Sequence, residues 1–327
     1  MQTRKLGRTG LNVSVLTFGC GAVGGLMTRG ASIDQERAVA RALEAGINHF
    51  DTAPAYGNGA SEENLGRVLA SLKPDVIVST KVRLPAERNA AAVIESLDAS
   101  LKRLQRDHVD VFQLHNTIGA SDGQTMSAAE VLSDVVPALS RAREQGKTRF
   151  IGFTAIGDTS GLHALIASGA FDTAQVPYNA LNPSAGEAIP AAYPAQDYGR
   201  VLDLAARHGV GTIGIRVLAG GALSGSEQRN PLGLAQVEPI GSGASYAADV
   251  ARARRLEPMV REGHAGSLTE LAMRFAIANA QLSTTEIGLA HIGELEAAIA
   301  AVKKGPLSDA ALARLAQLQA GFLGEAR

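Results

Sequence analysis

The sequence predicts an α/β fold: a (β/α)8 TIM barrel with an N-terminal β-hairpin and extra C-terminal helices. From residue 16 onward, eight short apolar segments alternate with segments of helical periodicity, which is typical of a parallel sheet. No composition break or linker interrupts the 327 residues, so we expect one domain spanning 1–327. Titratable residues follow three successive strands, as they do at the C-terminal face of such barrels. The alternative is an open doubly wound sheet with a small helical C-terminal domain.

Each predicted strand is a short run of apolar or β-branched residues bounded by turn residues. A hairpin should precede the barrel, because two short extended runs, 3–6 and 12–16, flank Gly7 and Gly10. The eight predicted strands are 16–19, 47–51, 76–81, 109–115, 150–153, 173–176, 211–217 and 285–289.

Helices are indicated by apolar residues three and four apart, by capping residues and by glycines after the helix ends. We expect Ser32 to begin a capping box, no helix before it, and Ser61 to cap the next helix. The predicted helices are 34–45, one from 61, 90–104, 128–145, 160–168, 196–208, 247–261, 268–278, 294–301 and one from 308, with a glycine-rich loop at 219–245.

Composition and charge exclude several classes of protein. Lys and Arg number 31 against 32 Asp and Glu, and no long basic run exists, so neither a nucleic-acid groove nor a polybasic membrane surface is expected. Cys20 is the only cysteine, which excludes an internal disulfide and a cysteine-based metal cluster, and we expect no metal site. No signal region opens the chain, and no apolar run reaches the roughly 18 residues of a membrane span. We therefore expect a soluble cytoplasmic protein acting on a small molecule.

One motif suggests a different fold. Residues 19–24 match the G-x-G-x-x-G pattern of Rossmann dinucleotide sites, in which a helix opens directly at the glycines. Here the chain stays irregular up to Ser32, so the required strand-to-helix context is absent. We interpret this segment as a loop at the mouth of the barrel.

Four titratable residues lie at or just after the ends of three successive predicted strands: Asp51, Tyr56, Lys81 and His115. A lysine ammonium stabilises tyrosinate and makes the phenol a better acid, and a partly buried lysine needs a carboxylate. The four could therefore form an Asp–Lys–Tyr proton relay, with a neutral histidine orienting a substrate oxygen. The alternative is a structural ion pair, a core histidine and a loop aromatic residue.

With these residues, the chain resembles the aldo-keto reductase superfamily over nearly its whole length. The resemblance implies a (β/α)8 barrel that binds a nicotinamide dinucleotide without a Rossmann domain. It implies Tyr56 as general acid/base, tuned by Asp51 and Lys81, with His115 orienting the carbonyl. The matching segments are 5–14, 46–53, 56–57, 61–62, 65–66, 79–81, 101–104, 109–110, 115, 146–152 and 175–179.

The resemblance also implies cofactor contacts. Gln175 should hold the nicotinamide carboxamide, helped by Thr154, although Ala155 replaces the usual asparagine. Arg216 stands where an aromatic residue usually stacks under the nicotinamide, and a guanidinium can also stack. Glycines in the loop 219–225 would let backbone N–H groups approach the pyrophosphate. The remaining implied cofactor residues are Gly220, Gly221, Leu223, Gly225, Gly288 and Glu294.

The segment after the eighth strand bears on the choice between NADP(H) and NAD(H). NADP-binding relatives usually carry an arginine there, whereas no Lys or Arg lies between Gln281 and Val302. A 2′-phosphate favours such a partner, and Glu294 and Glu296 would repel it if they point inward. The family favours NADP(H), while this segment favours NAD(H) or a relaxed preference.

The resemblance predicts an oxidoreductase that interconverts an aldehyde, ketone or sugar with its alcohol by hydride transfer. The alternatives are a non-catalytic, cofactor-binding sensor or regulatory subunit of the same fold, and a hydrolase or aldolase in which Lys81 forms a Schiff base. Loops 20–31, 116–126 and 225–245 should set substrate specificity. Since they lack tryptophan, we expect a pocket open to polar or sugar-like substrates.

Overall fold

The structure is a computed structural model that describes residues 1–85, 90–121 and 125–325. Eight parallel strands of this described part close into one barrel, in chain order around the ring, and the last pairs with the first. This confirms the predicted barrel and excludes the open sheet. Two hairpin strands, β1 (Thr3–Lys5) and β2 (Asn12–Ser14), precede the barrel, and a short strand pair, β7 (Thr117–Ile118) and β8 (Thr125–Met126), lies outside it. The barrel strands are β3 (Leu16–Gly19), β4 (His49–Asp51), β5 (Ile77–Val82), β6 (Val109–Leu114), β9 (Thr148–Thr154), β10 (Thr173–Pro177), β11 (Gly211–Ile215) and β12 (Thr284–Gly288).

The predicted antiparallel hairpin β1–β2 is present and covers the N-terminal end of the barrel. Its apolar residues Leu6, Leu11 and Val13 form a small core with residues of three barrel strands. The turn must contain glycine at position 7, where φ is +50° and an added Cβ would lie 2.2 Å from the Gly211 nitrogen. The hairpin therefore seals the end of the barrel opposite the strand ends that carry the titratable residues.

Helices follow the strands on the outside of the barrel, and a final helix begins after its Ser308 cap, as expected. The helices are α1 (Leu26–Arg29), α2 (Ser32–Glu44), α3 (Ala60–Leu72), α4 (Ala90–Leu104), α5 (Ala128–Glu130), α6 (Val136–Glu144), α7 (Thr159–Ala167), α8 (Val201–Arg207), α9 (Tyr246–Arg254), α10 (Glu257–Arg261), α11 (Leu268–Ala278), α12 (Ile292–Lys303) and α13 (Asp309–Ala320), with a π-helical turn at Val131–Val135 and a 3-10 segment at Ala219–Ser224.

Two predicted caps are wrong. Helix α2 begins at Ser32 itself, after Ala31, without a side-chain cap. Helix α3 follows Gly59, whose φ of +93° needs glycine, and Ser61 lies inside its first turn. The Ser61 hydroxyl is buried and donates instead to the Cys20 carbonyl at 2.9 Å, because a buried hydroxyl requires a partner. Ser61 thus ties the loop after β3 to the start of α3.

Several helix boundaries also differ from the prediction. The one-turn helix α1 precedes Ser32, and α8 begins at Val201 rather than near residue 196. The helix predicted at 247–261 is divided into α9 and α10, with Pro258 in the first turn of α10. A π-helical turn interrupts the helix predicted at 128–145 just before Pro137, which has no N–H to continue the α-helical bonding.

The barrel interior contains a layer of buried polar groups below the strand ends. The Thr17 hydroxyl lies 2.8 Å from His49 Nδ1 and 2.7 Å from the Thr284 hydroxyl, and His49 Nε2 lies 2.6 Å from the Ser79 hydroxyl. Burial lowers the pKa of His49 from 6.5 to about 4, so the ring is neutral at neutral pH. This layer joins four neighbouring strands beneath the candidate site.

None of the described helices combines the length and apolar character that a membrane crossing requires.

Candidate active site

The structure brings the four predicted catalytic residues together at the C-terminal end of the barrel. Asp51 is the last residue of β4, Lys81 lies near the end of β5, and His115 directly follows β6. Tyr56 lies in the turn after β4, where its backbone N–H donates to the Ala53 carbonyl at 3.1 Å. Parallel strands thus deliver the four side chains to one face of the barrel.

The Lys81 ammonium is the centre of this group. It donates to the Asp51 carboxylate, to the Thr52 carbonyl at 2.9 Å and to the Tyr56 hydroxyl at 3.2 Å. The side chains of Lys81 and Asp51 are only 1% and 0% exposed. Gln113, on β6, donates to the second Asp51 oxygen at 3.1 Å. All three ammonium donors are therefore used, and one is directed at the phenol.

His115 stands against Tyr56, with ring centroids 5.9 Å apart and planes at 88°. Burial, and next the charges of Lys81 and Arg83, lower the pKa of His115 to about 3. The imidazole is therefore neutral at neutral pH, so one ring nitrogen can donate a hydrogen bond and the other can accept one.

The electrostatics of Tyr56 differ in part from the expectation. Burial raises the pKa of Tyr56 to about 12, while Lys81 lowers it and the carboxyl groups of Asp51 and Glu286 raise it. The predicted direction of the lysine effect is right, but desolvation outweighs it. Burial would lower the pKa of Lys81, yet Asp51 and then Tyr56 raise it well above its usual range, so Lys81 remains charged.

Gln175 and Thr154 lie side by side on β10 and β9, beside this group. The Thr154 hydroxyl donates to Gln175 Oε1 at 3.2 Å, and Gln175 Nε2 donates to Glu286 Oε2 at 2.9 Å. These two contacts leave the amide one N–H and one oxygen lone pair. A primary carboxamide, which offers one acceptor and two donors, fits that remaining pair.

Three glycines of the loop after β11 adopt positive φ values. Gly220 and Gly221 have φ of +68° and +110°, and Gly225 ends the segment at +76°, whereas Leu223 is buried. Arg216 adopts a φ of +56°, which is rare for a residue with a side chain. Its carbonyl accepts from Asn179 at 3.0 Å, and its guanidinium donates to the Glu238 carbonyl at 3.1 Å.

Gly288 ends β12, and Glu294 lies in the first turn of α12. The Glu294 carboxylate accepts the Ala290 N–H at 2.7 Å, so an anion already occupies this helix N-terminus. Glu296 instead pairs with Arg41 on α2 at 2.6 Å, which corrects the idea that it could point inward.

Within residues 19–24, Gly24 serves packing rather than a Rossmann turn. A Cβ on Gly24 would lie 2.3 Å from the Leu289 nitrogen, so the loop after β3 packs directly on the end of β12. Residues 122–124 of the predicted specificity loop 116–126 lie outside the described residues.

Sequence reasoning missed three residues of the site: Gln113, Glu286 and Arg229. Gln113 lies on β6 two positions before His115, so the two side chains point to the same side of the extended chain. Glu286 is the one charged residue in the predicted strand 285–289, a signal that was available. Arg229 donates to the Gly220 carbonyl at 2.7 Å from a loop without a local pattern, so no sequence signal identifies it.

Comparisons with known proteins identify the family to which this closed parallel barrel belongs. The model of the aldo/keto reductase family matches residues 15–320, and the chain belongs to that family. The chain is 33% identical to L-galactose dehydrogenase of Arabidopsis thaliana, over 92% of this chain and 88% of that protein. It is 26% identical to L-glyceraldehyde 3-phosphate reductase of Escherichia coli K12, over 97% and 92% of the two chains.

A solved structure agrees with the fold. The holo form of aldo-keto reductase AKR11C1 from Bacillus halodurans superposes with a TM-score of 0.72, covering 100% of this chain and 98% of its own at 24% identity. Aldo-keto reductases use nicotinamide cofactors, and the chain is an NAD(P)H-dependent oxidoreductase.

Proposed function

We propose that this protein interconverts a carbonyl compound and its alcohol by hydride transfer, with Tyr56 as general acid/base. The observation that carries the proposal is the Lys81 ammonium, buried between the Asp51 carboxylate and the Tyr56 hydroxyl. A bound reduced nicotinamide would supply the hydride, and the carbonyl oxygen would then gain negative charge that a proton must neutralise. Tyr56 is the hydroxyl placed to donate that proton.

In the direction of reduction, the Tyr56 O–H donates to the substrate oxygen and leaves a tyrosinate. The charge of Lys81, 3.2 Å from the phenol oxygen, stabilises that tyrosinate. Asp51 keeps Lys81 charged and fixed, while neutral His115 can donate a hydrogen bond to the same substrate oxygen. In the direction of oxidation, the tyrosinate accepts the alcohol proton.

The donor set supports a nicotinamide dinucleotide as the cofactor. Gln175 and Thr154 would hold the carboxamide, and Arg216 would lie under the ring. The backbone of Gly220, Gly221, Leu223 and Gly225 would line the pyrophosphate, and Gly288 would also contact the cofactor. Arg229, which binds the Gly220 carbonyl, would fix this loop.

For the adenosine end, we propose a weak preference between NADP(H) and NAD(H). Glu294 places a carboxylate at the N-terminus of α12, where the family's arginine is missing. Arg41 is already paired with Glu296 and so is a poor substitute for that arginine.

For the substrate, we propose a small polar carbonyl compound or sugar. The names of the two relatives, L-galactose dehydrogenase and L-glyceraldehyde 3-phosphate reductase, agree with this class. The test is a panel of aldoses, aliphatic aldehydes and aromatic aldehydes, assayed with NADH and with NADPH. Turnover of sugar-like substrates is expected. A uniform preference for aromatic aldehydes would contradict the substrate class, and tight cofactor binding without any turnover would favour the non-catalytic sensor.

A further inference from the structure

Glu286 is a second carboxylic acid beside the Asp51–Lys81 pair, and the mechanism above does not use it. It belongs to β12, and its side chain reaches Gln175 on β10. Gly19, on the neighbouring strand, makes room for it, since a Cβ there would lie 2.9 Å from Glu286 Oε1 and 2.6 Å from the Ile287 carbonyl oxygen. The absence of a side chain at Gly19 therefore leaves the space that the Glu286 carboxyl group occupies.

Glu286 connects the two halves of the site. On one side its carboxyl group lies near that of Asp51, and the two interact electrostatically. On the other its Oε2 accepts from Gln175 Nε2 at 2.9 Å. Continuous contacts thus run from Tyr56 through Lys81, Asp51 and Glu286 to the Gln175 amide.

The charges of the groups along these contacts require a proton on either Asp51 or Glu286. The ionisable groups that face Glu286 are Asp51, Lys81, Tyr56 and Cys20. Lys81 supplies the one positive charge among them, so two ionised carboxyl groups would leave a net negative charge beside the fully buried Asp51. Burial, and next the charge of Asp51, raise the pKa of Glu286 well above its usual range, although Lys81 opposes the shift. A neutral Glu286 can donate its O–H to Asp51 and accept from Gln175 with its other oxygen.

We propose that Glu286 is a positioning residue that, as a neutral acid, fixes the orientation of the Gln175 amide toward the nicotinamide carboxamide. The proposal rests on the proposed function, because it assumes that Gln175 holds that carboxamide. With its nitrogen held by Glu286 and its oxygen by Thr154, the amide presents its second N–H and its free lone pair in a fixed order. Rotation of the amide by half a turn would place its oxygen against the Glu286 oxygen and is disfavoured while Glu286 is present.

The test compares two variants of Glu286 by ligand binding rather than by turnover. Glu286→Gln keeps a neutral group with one donor and one acceptor, whereas Glu286→Leu removes both contacts. Each protein is titrated with the reduced dinucleotide that binds the wild type and with the matching ADP-ribose, which lacks nicotinamide. Thr284→Val is the matched control, because Thr284 lies on the same strand and bonds to Thr17 instead of Gln175.

The Leu variant should bind the reduced dinucleotide about tenfold more weakly than the wild type, since one amide loses its orienting partner. The affinity of the Leu variant for ADP-ribose should stay within about threefold of the wild-type value. The Gln variant and the Thr284→Val control should bind both ligands within about threefold of the wild type. Equal loss for both ligands would show a merely structural role, and a Gln variant as weak as the Leu variant would exclude the neutral acid. Failure of the wild type to bind the dinucleotide would instead contradict the proposed function.

An infrared measurement keeps the proposal testable if Glu286→Leu does not fold. The difference spectrum between the wild type and Glu286→Gln at neutral pH should show the carbonyl band of a protonated carboxylic acid. A difference spectrum with only carboxylate bands would overturn the neutral Glu286.

Discussion

Replacing Lys81 by Met tests the relay at its centre, because Met keeps the length of the apolar stem and removes the ammonium. The variant loses the donations to Asp51, to the Thr52 carbonyl and to Tyr56. It leaves the Asp51 carboxylate, which is 0% exposed, without its charged partner. Two separate consequences follow, one for stability and one for the chemistry.

The stability effect comes from the unpaired buried charge. Removal of one partner of a buried pair costs about 3–5 kcal/mol, so Lys81→Met should lower the free energy of unfolding by about that amount. Adding Asp51→Asn removes the unpaired charge, and the double variant should regain much of this loss. The Asn side chain can still accept from Gln113, which lies 3.1 Å from the second oxygen of Asp51.

The chemical effect comes from Tyr56. Its pKa of about 12 already reflects burial, and Lys81 is the group that lowers it. Without that charge the pKa of Tyr56 rises further, so less tyrosinate is available for alcohol oxidation at a given pH. The alkaline limb of the kcat profile should move to higher pH, and kcat should fall by about 100- to 10,000-fold.

The assay is kcat against pH for alcohol oxidation, with urea unfolding of the same three proteins. The double variant should recover stability without recovering activity, which separates the two effects. An unchanged pH profile in Lys81→Met, or full activity in the double variant, would refute the relay and favour a purely structural ion pair.

Two further predictions concern a buried imidazole and the cofactor. His49 has a folded-state pKa of about 4 against an ordinary 6.5, so it contributes stability that is complete above pH 6.5 and is lost as pH falls to about 4. The free energy of unfolding of the wild type, measured with urea, should therefore fall by about 2–4 kcal/mol over that pH range through His49. The unfolding free energy of His49→Asn should depend less steeply on pH. Equal slopes for the two proteins would contradict this assignment. Glu294→Gln keeps an acceptor for the Ala290 N–H but removes a charge, so the NADPH-to-NADH affinity ratio should rise by about two- to fivefold in fluorescence titrations. A wild type that binds NADPH more than a hundredfold tighter would mean that another basic residue holds the phosphate.

Local sequence patterns were sufficient to predict the barrel and to predict that the four titratable residues lie close together. Strand periodicity places Asp51 and Lys81 on the inside at the strand ends, and parallel pairing brings neighbouring ends together. The caps at Ser32 and Ser61 were wrong because tertiary contacts set the helix starts. Ser61, for example, bonds to the carbonyl of Cys20, far away in sequence.

The electrostatics required the structure. The sign of the Lys81 effect on Tyr56 follows from charge alone, but the net pKa depends on burial, which the sequence does not state. Glu286 and Gln175 come from strands 111 residues apart in sequence, so their contact had no local signal.

The central claim is that the Tyr56 hydroxyl supplies the proton, and a single-turnover measurement tests it most directly. Wild type and Tyr56→Phe, each saturated with the reduced dinucleotide, are mixed with a good aldehyde substrate, and loss of cofactor fluorescence is followed in time. Phe keeps the ring against His115 and removes only the hydroxyl, so cofactor affinity should stay unchanged. The rate of cofactor oxidation should fall by about 100- to 10,000-fold. A Tyr56→Phe protein that oxidises the cofactor at the wild-type rate would contradict the assignment.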